Sequence, residues 1–261
     1  MASVFRSVVS IVVILLSLSV QAQAEGDSTA SVLLALKQDS QPKYFLNALQ
    51  RQGLCDRIYA ELSQRLAQRH IELQVQQPFV PIKRLLKQIE HGAADLFCGA
   101  GRNAEREARF HYLSTPVYEV SNVVLAHRDE PLTPQTFADL AAIDHAVAII
   151  DGTSSGRFLQ RQGVEPGALF NEINRAIKAV ADNPRVRFFY YHDLGLNYAL
   201  ISHKNLPIRV VPSRFRTVPQ WILVSRQTPD SLRQALETTL AEMQADGTLA
   251  AIGAEFLALK P

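Results

Sequence analysis

The sequence predicts an α/β protein with mainly parallel sheets, and three features carry that expectation. Short apolar runs alternate with helical stretches from Ser31 almost to the C-terminus. No internal repeat and no low-complexity tract interrupts the alternation. The length, 261 residues, is enough for one large domain or two smaller ones with a full core. Strands and helices taking turns is the pattern of units whose crossover helices cover a parallel sheet.

The N-terminus reads as a separate segment. Arg6 is followed by an apolar run from Val8 to Val20 and the small-residue pattern Ala22-Gln-Ala24. That layout is a secretory signal peptide over residues 1–24, cleaved after Ala24. The run is shorter than the roughly 20 residues of a spanning helix. A periplasmic protein of roughly 237 residues is expected to remain.

The elements follow in order. "SVLLALK" (Ser31–Lys37) is a strand, and the loop after it carries Pro42, Tyr44 and Phe45. "CDRIYAELSQRLAQR" (Cys55–Arg69) places Ile58, Leu62 and Leu66 on one helix face. "IELQVQ" is the second strand, and Gly92 stops the helix "IKRLLKQIEHG". "ADLFCG" is the third strand, and "SNVVLAHRD" and "HAVAIID" are the next two. "GRFLQRQG" is a helix, and another lies near Glu172–Ala181. "RVRFFYYHD" runs into the apolar helix "LGLNYALISHK", and "IRVVPS" and "QWILVSR" are strands. The C-terminus closes with two helices broken at Asp246-Gly247.

Charge and composition exclude several functions. The net charge is +2 with the signs interspersed, so no nucleic-acid surface is expected. The seven histidines show no H-x-H or H-E-x-x-H spacing and the two cysteines no C-x-x-C, so no metal site is expected. In an oxidising compartment Cys55 and Cys98 invite a disulfide; the alternative is two buried free thiols.

Two motifs compete for a catalytic reading. "GAGRNA" (Gly99–Ala104) imitates a dinucleotide turn, but the helical stretch behind it is too short for a crossover helix. "GTSSG" (Gly152–Gly156) satisfies G-x-S-x-G between strand and helix, with Ser154, Asp193 and His203 in hydrolase order. Asp193 and His203 are expected on one helix, which leaves no separate acid and base loops. Small residues opening a helix also suit an anion, because its first N–H groups lack acceptors.

An ordered set of segments resembles a known family. "RLLKQIEHGAADLFCGAGRNAEREARFHYLSTPVYEVSNVVLAHRDE" combines a helix ending in G-x-x-D, a strand, a glycine turn, a Glu-Arg pair and an aromatic-x-Ser-x-Pro-x-Tyr segment. With "AIIDGTSSGRFL" and "ADGTLAAIGAEFL" it resembles bacterial extracellular solute-binding proteins of the amino-acid-binding type, family 3. The resemblance implies a two-lobed clamp of the type II periplasmic-binding fold, joined by two hinge strands. Residues 25–124 and 218–261 would form the first lobe and 125–217 the second.

It also implies a site. Arg106 would hold a ligand carboxylate with two parallel N–H donors. Gly99, Asn103 and the N–H groups of Thr153 and Ser154 would complete the anion site. Asp193 would take a ligand ammonium, and Tyr44 and Phe79 would flank the side chain. No catalytic residue and no cofactor are implied. The expected protein is a monomer whose closed form meets an ABC importer or, in a second class, a membrane sensor; a dehydratase or hydrolase on the same clamp is the third.

The chain departs from the family pattern at Asn103 and Gly101, where threonines are usual, and at Arg102, an added cation. These changes leave room for an acidic or unusual carboxylate ligand. Within the same picture, a Cys55–Cys98 bridge would tie the first helix to the third strand and stiffen the arginine's platform.

Overall fold

The computed structural model describes residues 31–257, so the expected signal peptide lies outside the described residues. The first half of the chain forms β1 (Ser31–Leu36), α1 (Leu54–Ala67), β2 (Ile71–Val75), α2 (Ile82–Glu90), β3 (Leu96–Ala100), α3 (Ala104–Arg109), β4 (Phe110–Tyr112) and β5 (Tyr118–His127). Then come α4 (Phe137–Ala141), β6 (Val147–Ile150), α5 (Ser154–Arg161), β7 (Ala168–Phe170), α6 (Ile173–Asp182), β8 (Phe188–His192), α7 (Asp193–Ser202) and β9 (Ile208–Val210). The last elements are β10 (Arg216–Ser225), α8 (Asp230–Ala245) and α9 (Thr248–Leu257).

Three hydrophobic clusters, one in the first lobe and two in the second, organise these elements into a two-lobed clamp. One lobe packs the side chains of β1–β3, α1, α2, α8 and α9 around Leu33, Leu62, Phe97 and Leu240. The other packs α6 and α7 on one face of its sheet, around Phe189 and Ile177, and α4 and α5 on the opposite face, around Phe188 and Leu159. Helices on both faces explain why β6 and Phe188–Tyr191 of β8 are buried along their length and read as unbroken apolar runs.

Parallel pairing holds in the heart of each lobe, β2-β1-β3 and β7-β6-β8. The rest is antiparallel, because β5 and β10 cross between lobes side by side. Arg216–Gln220 of β10 pairs with Tyr118–Asn122 of β5. Beyond that ribbon β10 continues against β3 and β4, while β5 continues against β8 and β9. The change of core falls in β5 between Val120, packed in the first lobe, and Val123, packed in the second.

The short elements β4, β7 and α4 escape the sequence pattern. "FHY" carries no local strand signal and is a strand only because β10 lies beside it. Gly92, with φ at +70°, follows the end of α2, where a left-handed residue releases the chain.

Two ties hold the first lobe's loop and helix together. Cys55 and Cys98 form a disulfide with Cα atoms 5.9 Å apart, linking the first turn of α1 to β3. Lys37 and Asp56 form an ion pair at 2.9 Å with both side chains buried. The second oxygen of Asp56 accepts from the N–H groups of Phe45 and Gly53 at 2.8 and 2.9 Å. The Lys37 ammonium also donates to the carbonyl of Phe45. One carboxylate thus fixes both ends of the loop that leaves β1 and returns to α1.

Candidate functional site

A cavity of about 110 Å³ lies between the lobes, at the carboxyl ends of β1, β3, β6 and β8. Strands in parallel end together, so the loops that follow them converge on one crevice. Arg106, Gly99, Thr153 and Ser154, expected from the sequence, line it.

Arg106 sits in α3, whose N-terminus is capped by Asn103: the Asn103 amide oxygen accepts from the Arg106 N–H at 2.9 Å. The Arg106 side chain is buried and, among the described residues, faces no carboxylate at salt-bridge distance. Its guanidinium donates to the carbonyl of Gly101 at 3.0 Å and to that of Gly152, in the other lobe, at 3.1 Å. Burial pushes its pKa down. The neighbouring charges are spent locally instead. Glu105 pairs with Arg157 across the cleft, Glu107 with Arg102, and Arg109 with Glu90.

The second lobe presents the N-terminus of α5. Thr153 caps it, its hydroxyl accepting from the Gly156 N–H at 3.1 Å and donating to the carbonyl of Ile150 at 2.8 Å. The Thr153 N–H also reaches that carbonyl, at 3.4 Å. The N–H groups left without helix acceptors therefore belong to Ser154 and Ser155, not to Thr153. The lobes meet closely here: a Cβ on Gly101 would lie 2.1 Å from the Ser154 hydroxyl. Lys83 pairs with Asp151 across the same seam.

Four expected residues lie elsewhere. Asp193 opens α7 and does not line the cavity. Its carboxylate accepts from the N–H groups of Ser121 and Leu194 at 3.0 and 2.9 Å, and lies 3.6 Å from Arg214. Those bonds pin α7 to the crossing strand. Tyr44 is wholly buried in the first lobe, its hydroxyl donating to the carbonyl of Cys98 at 2.8 Å. Phe79 packs against the same core, and the Lys37 ammonium lies 5.5 Å from its ring centre. Asn103 serves as the cap of α3 rather than as a cavity wall.

The largest omission from the sequence reading is Lys43. It is 4% exposed yet lines the cavity, and its ammonium donates to the Gln38 amide oxygen at 3.3 Å. Its ammonium lies over the rings of Phe97 and Tyr44 at 4.7 and 5.4 Å. Burial, with the Arg106 charge adding to it, brings its pKa down to about 7. Gly99 makes this arrangement possible. Its φ of +81° is left-handed, and a Cβ there would meet the Tyr118 hydroxyl at 2.3 Å and Lys43 Cδ at 2.7 Å.

His192, Arg216 and Arg102 also face the cavity. His192 caps α7 by accepting from the Gly195 N–H through Nδ1 at 2.9 Å, so its ring is neutral with hydrogen on Nε2. Burial and the Lys43 charge hold its pKa down to about 3. Among the described residues, no aspartate or glutamate lines this cavity. No cluster of three metal-ligating side chains occurs among them either, and no helix of that span is long and apolar enough to cross a membrane. Ser154, Asp193 and His203 are not brought together: only Ser154 reaches the cavity, and His203 Nε2 lies 3.3 Å from Asn174.

Two α/β lobes on a paired crossing ribbon, with a cavity between them lined by polar side chains, define a clamp for a small solute. The chain matches the bacterial extracellular solute-binding proteins, family 3, over residues 34–258 and belongs to that family. Solved structures of similar fold include a mutant of ArgBP from T. maritima, with TM-score 0.72 and 17% identity over 88% of this chain and 96% of that one. AbpA, an amino acid ABC transporter substrate-binding protein from Streptococcus pneumoniae bound to L-arginine, gives TM-score 0.71 and 17% identity over 90% and 98% of the two chains. The arginine-, lysine-, histidine-binding protein ArtJ from Geobacillus stearothermophilus gives 0.73 and 14% over 88% and 96%. At such identities the likeness is one of fold. No curated protein sequence matches the chain.

Proposed function

We propose that this protein captures a small carboxylate in the periplasm by closing its lobes, residues 25–124 with 218–261 and residues 125–217, and delivers it to the membrane part of an ABC importer. One observation carries the reading: a buried arginine without a carboxylate partner faces an interlobe cavity opposite a helix N-terminus. Arg106 grips the ligand carboxylate with its planar fork, and the N–H groups of Ser154 and Ser155 approach the same anion from the second lobe. Arg106 is buried, and a charge-assisted contact made out of water is stronger than the same contact in it. Binding energy shifts an open–closed equilibrium, and the closed shape is what the importer recognises. AbpA, named an amino acid ABC transporter substrate-binding protein, is in keeping with this role.

Thermal-shift measurement against a panel of small carboxylates tests the reading, since a ligand of the folded state raises the melting point. A carboxylate that raises it in the wild type is expected to have no effect on Arg106→Ala and a reduced effect on Arg106→Lys, which keeps the charge but not the fork. An undiminished shift in Arg106→Ala would remove Arg106 from the site.

A further inference from the structure

We infer that the ligand is a small dicarboxylate without an ammonium group, one end held by Arg106 and the other by Lys43. The inference rests on the carboxylate-capture reading and adds the class of ligand. An α-amino acid brings an ammonium into the cleft, and a buried ammonium needs an anionic partner. No lining residue supplies one among the described residues. The expected acid, Asp193, already serves two N–H groups and Arg214 outside the cavity. The oxygens left are neutral, amides such as those of Gln38 and Asn122 and hydroxyls such as those of Tyr191 and Ser154, in the field of two cations.

The cavity's own need points the same way. Lys43 and Arg106 are both buried and, among the described residues, both without a counter-ion, and the charge of each opposes the other. Arg216 lines the cavity with its guanidinium 4.0 Å from the ring centre of Phe158, whereas Arg102 is neutralised by Glu107. Around Lys43 stand Gln38, Tyr44, Phe97, Tyr118, Arg106 and His192, a set with no negative charge at neutral pH. Burial raises the pKa of the Tyr44 and Tyr118 hydroxyls, and His192 is neutral, so none of these offsets the ammonium. A second carboxylate does, and it restores Lys43 to its charged form.

Calorimetric titration of the full mature protein with malonate, succinate, glutarate, glutamate, arginine and butyrate tests this. At least one of the three plain dicarboxylates is expected to bind about ten- to a hundred-fold more tightly than butyrate and than either amino acid. Lys43→Met, close in size and uncharged, is expected to reduce that ligand to the affinity of butyrate while leaving butyrate within about three-fold. Tightest binding of glutamate or arginine, lost in Arg106→Ala, would overturn the inference and leave the capture reading standing. Equal losses of dicarboxylate and butyrate in Lys43→Met would also overturn it. Binding of none of the six would overturn both.

Discussion

Replacing Asp56 by asparagine isolates the contribution of one buried charge. The Lys37 ammonium loses its ionic partner, 2.9 Å away, and keeps the carbonyl of Phe45. The asparagine oxygen can still accept from the N–H groups of Phe45 and Gly53, so the loop's backbone bonds survive. What remains is an uncompensated cation in a side chain with no exposure, a cost of about 3–5 kcal/mol. That is a large share of the roughly 5–15 kcal/mol that holds a domain folded. Removing the stranded charge should reverse most of the loss: Lys37→Met with Asp56→Asn is expected to lie within about 1–2 kcal/mol of wild type, since a buried ion pair is worth little against apolar packing. Urea unfolding followed by circular dichroism reads all three proteins. A double variant no more stable than Asp56→Asn alone would refute the reasoning, for the cost would then lie in the loop and not in the charge.

Three further outcomes are expected. Cys55→Ala with Cys98→Ala opens a link spanning 43 residues and should cost about 4 kcal/mol by chain entropy, read as a lower urea midpoint; a loss under about 1 kcal/mol would discount the bridge as a stabiliser. Lys43 binds no proton in the folded protein above about pH 7, whereas the unfolded chain keeps one to about pH 10.4, so unliganded stability should rise with pH between those limits, by at most about 1.4 kcal/mol per unit. By the same linkage a dicarboxylate should draw in a proton at pH 8. Titrations in two buffers of different ionisation heat measure that uptake, and identical heats would argue against it.

The fold was legible because it depends on local pattern. The apolar spacing in α1, the glycine after α2 and the unbroken runs of β6 and β8 each report burial directly. That Ser154 and Arg106 line the cavity agrees with where the family resemblance put them, through short segments that hold their backbone place. Lys43 was not, because its position comes from a loop fixed at both ends by Asp56, a relation no spacing displays. Asp193 shows the converse: an acid at the right place in the chain whose oxygens are taken by Ser121 and Leu194 across a turn. Tyr44 lies beside Lys43, and the loop sends the lysine to the cavity and the tyrosine into the core.

The two hydrogen bonds of Arg106 reach carbonyls in opposite lobes, Gly101 on its own side and Gly152 on the other. On the proposed reading, one guanidinium answers to occupancy and posture together: whatever displaces or supports it would change how firmly the mouth stays shut. Selectivity and closure cannot be tuned separately through that residue. A redesign for a new solute has more freedom at position 43, which lies on one jaw and makes no bond to the other.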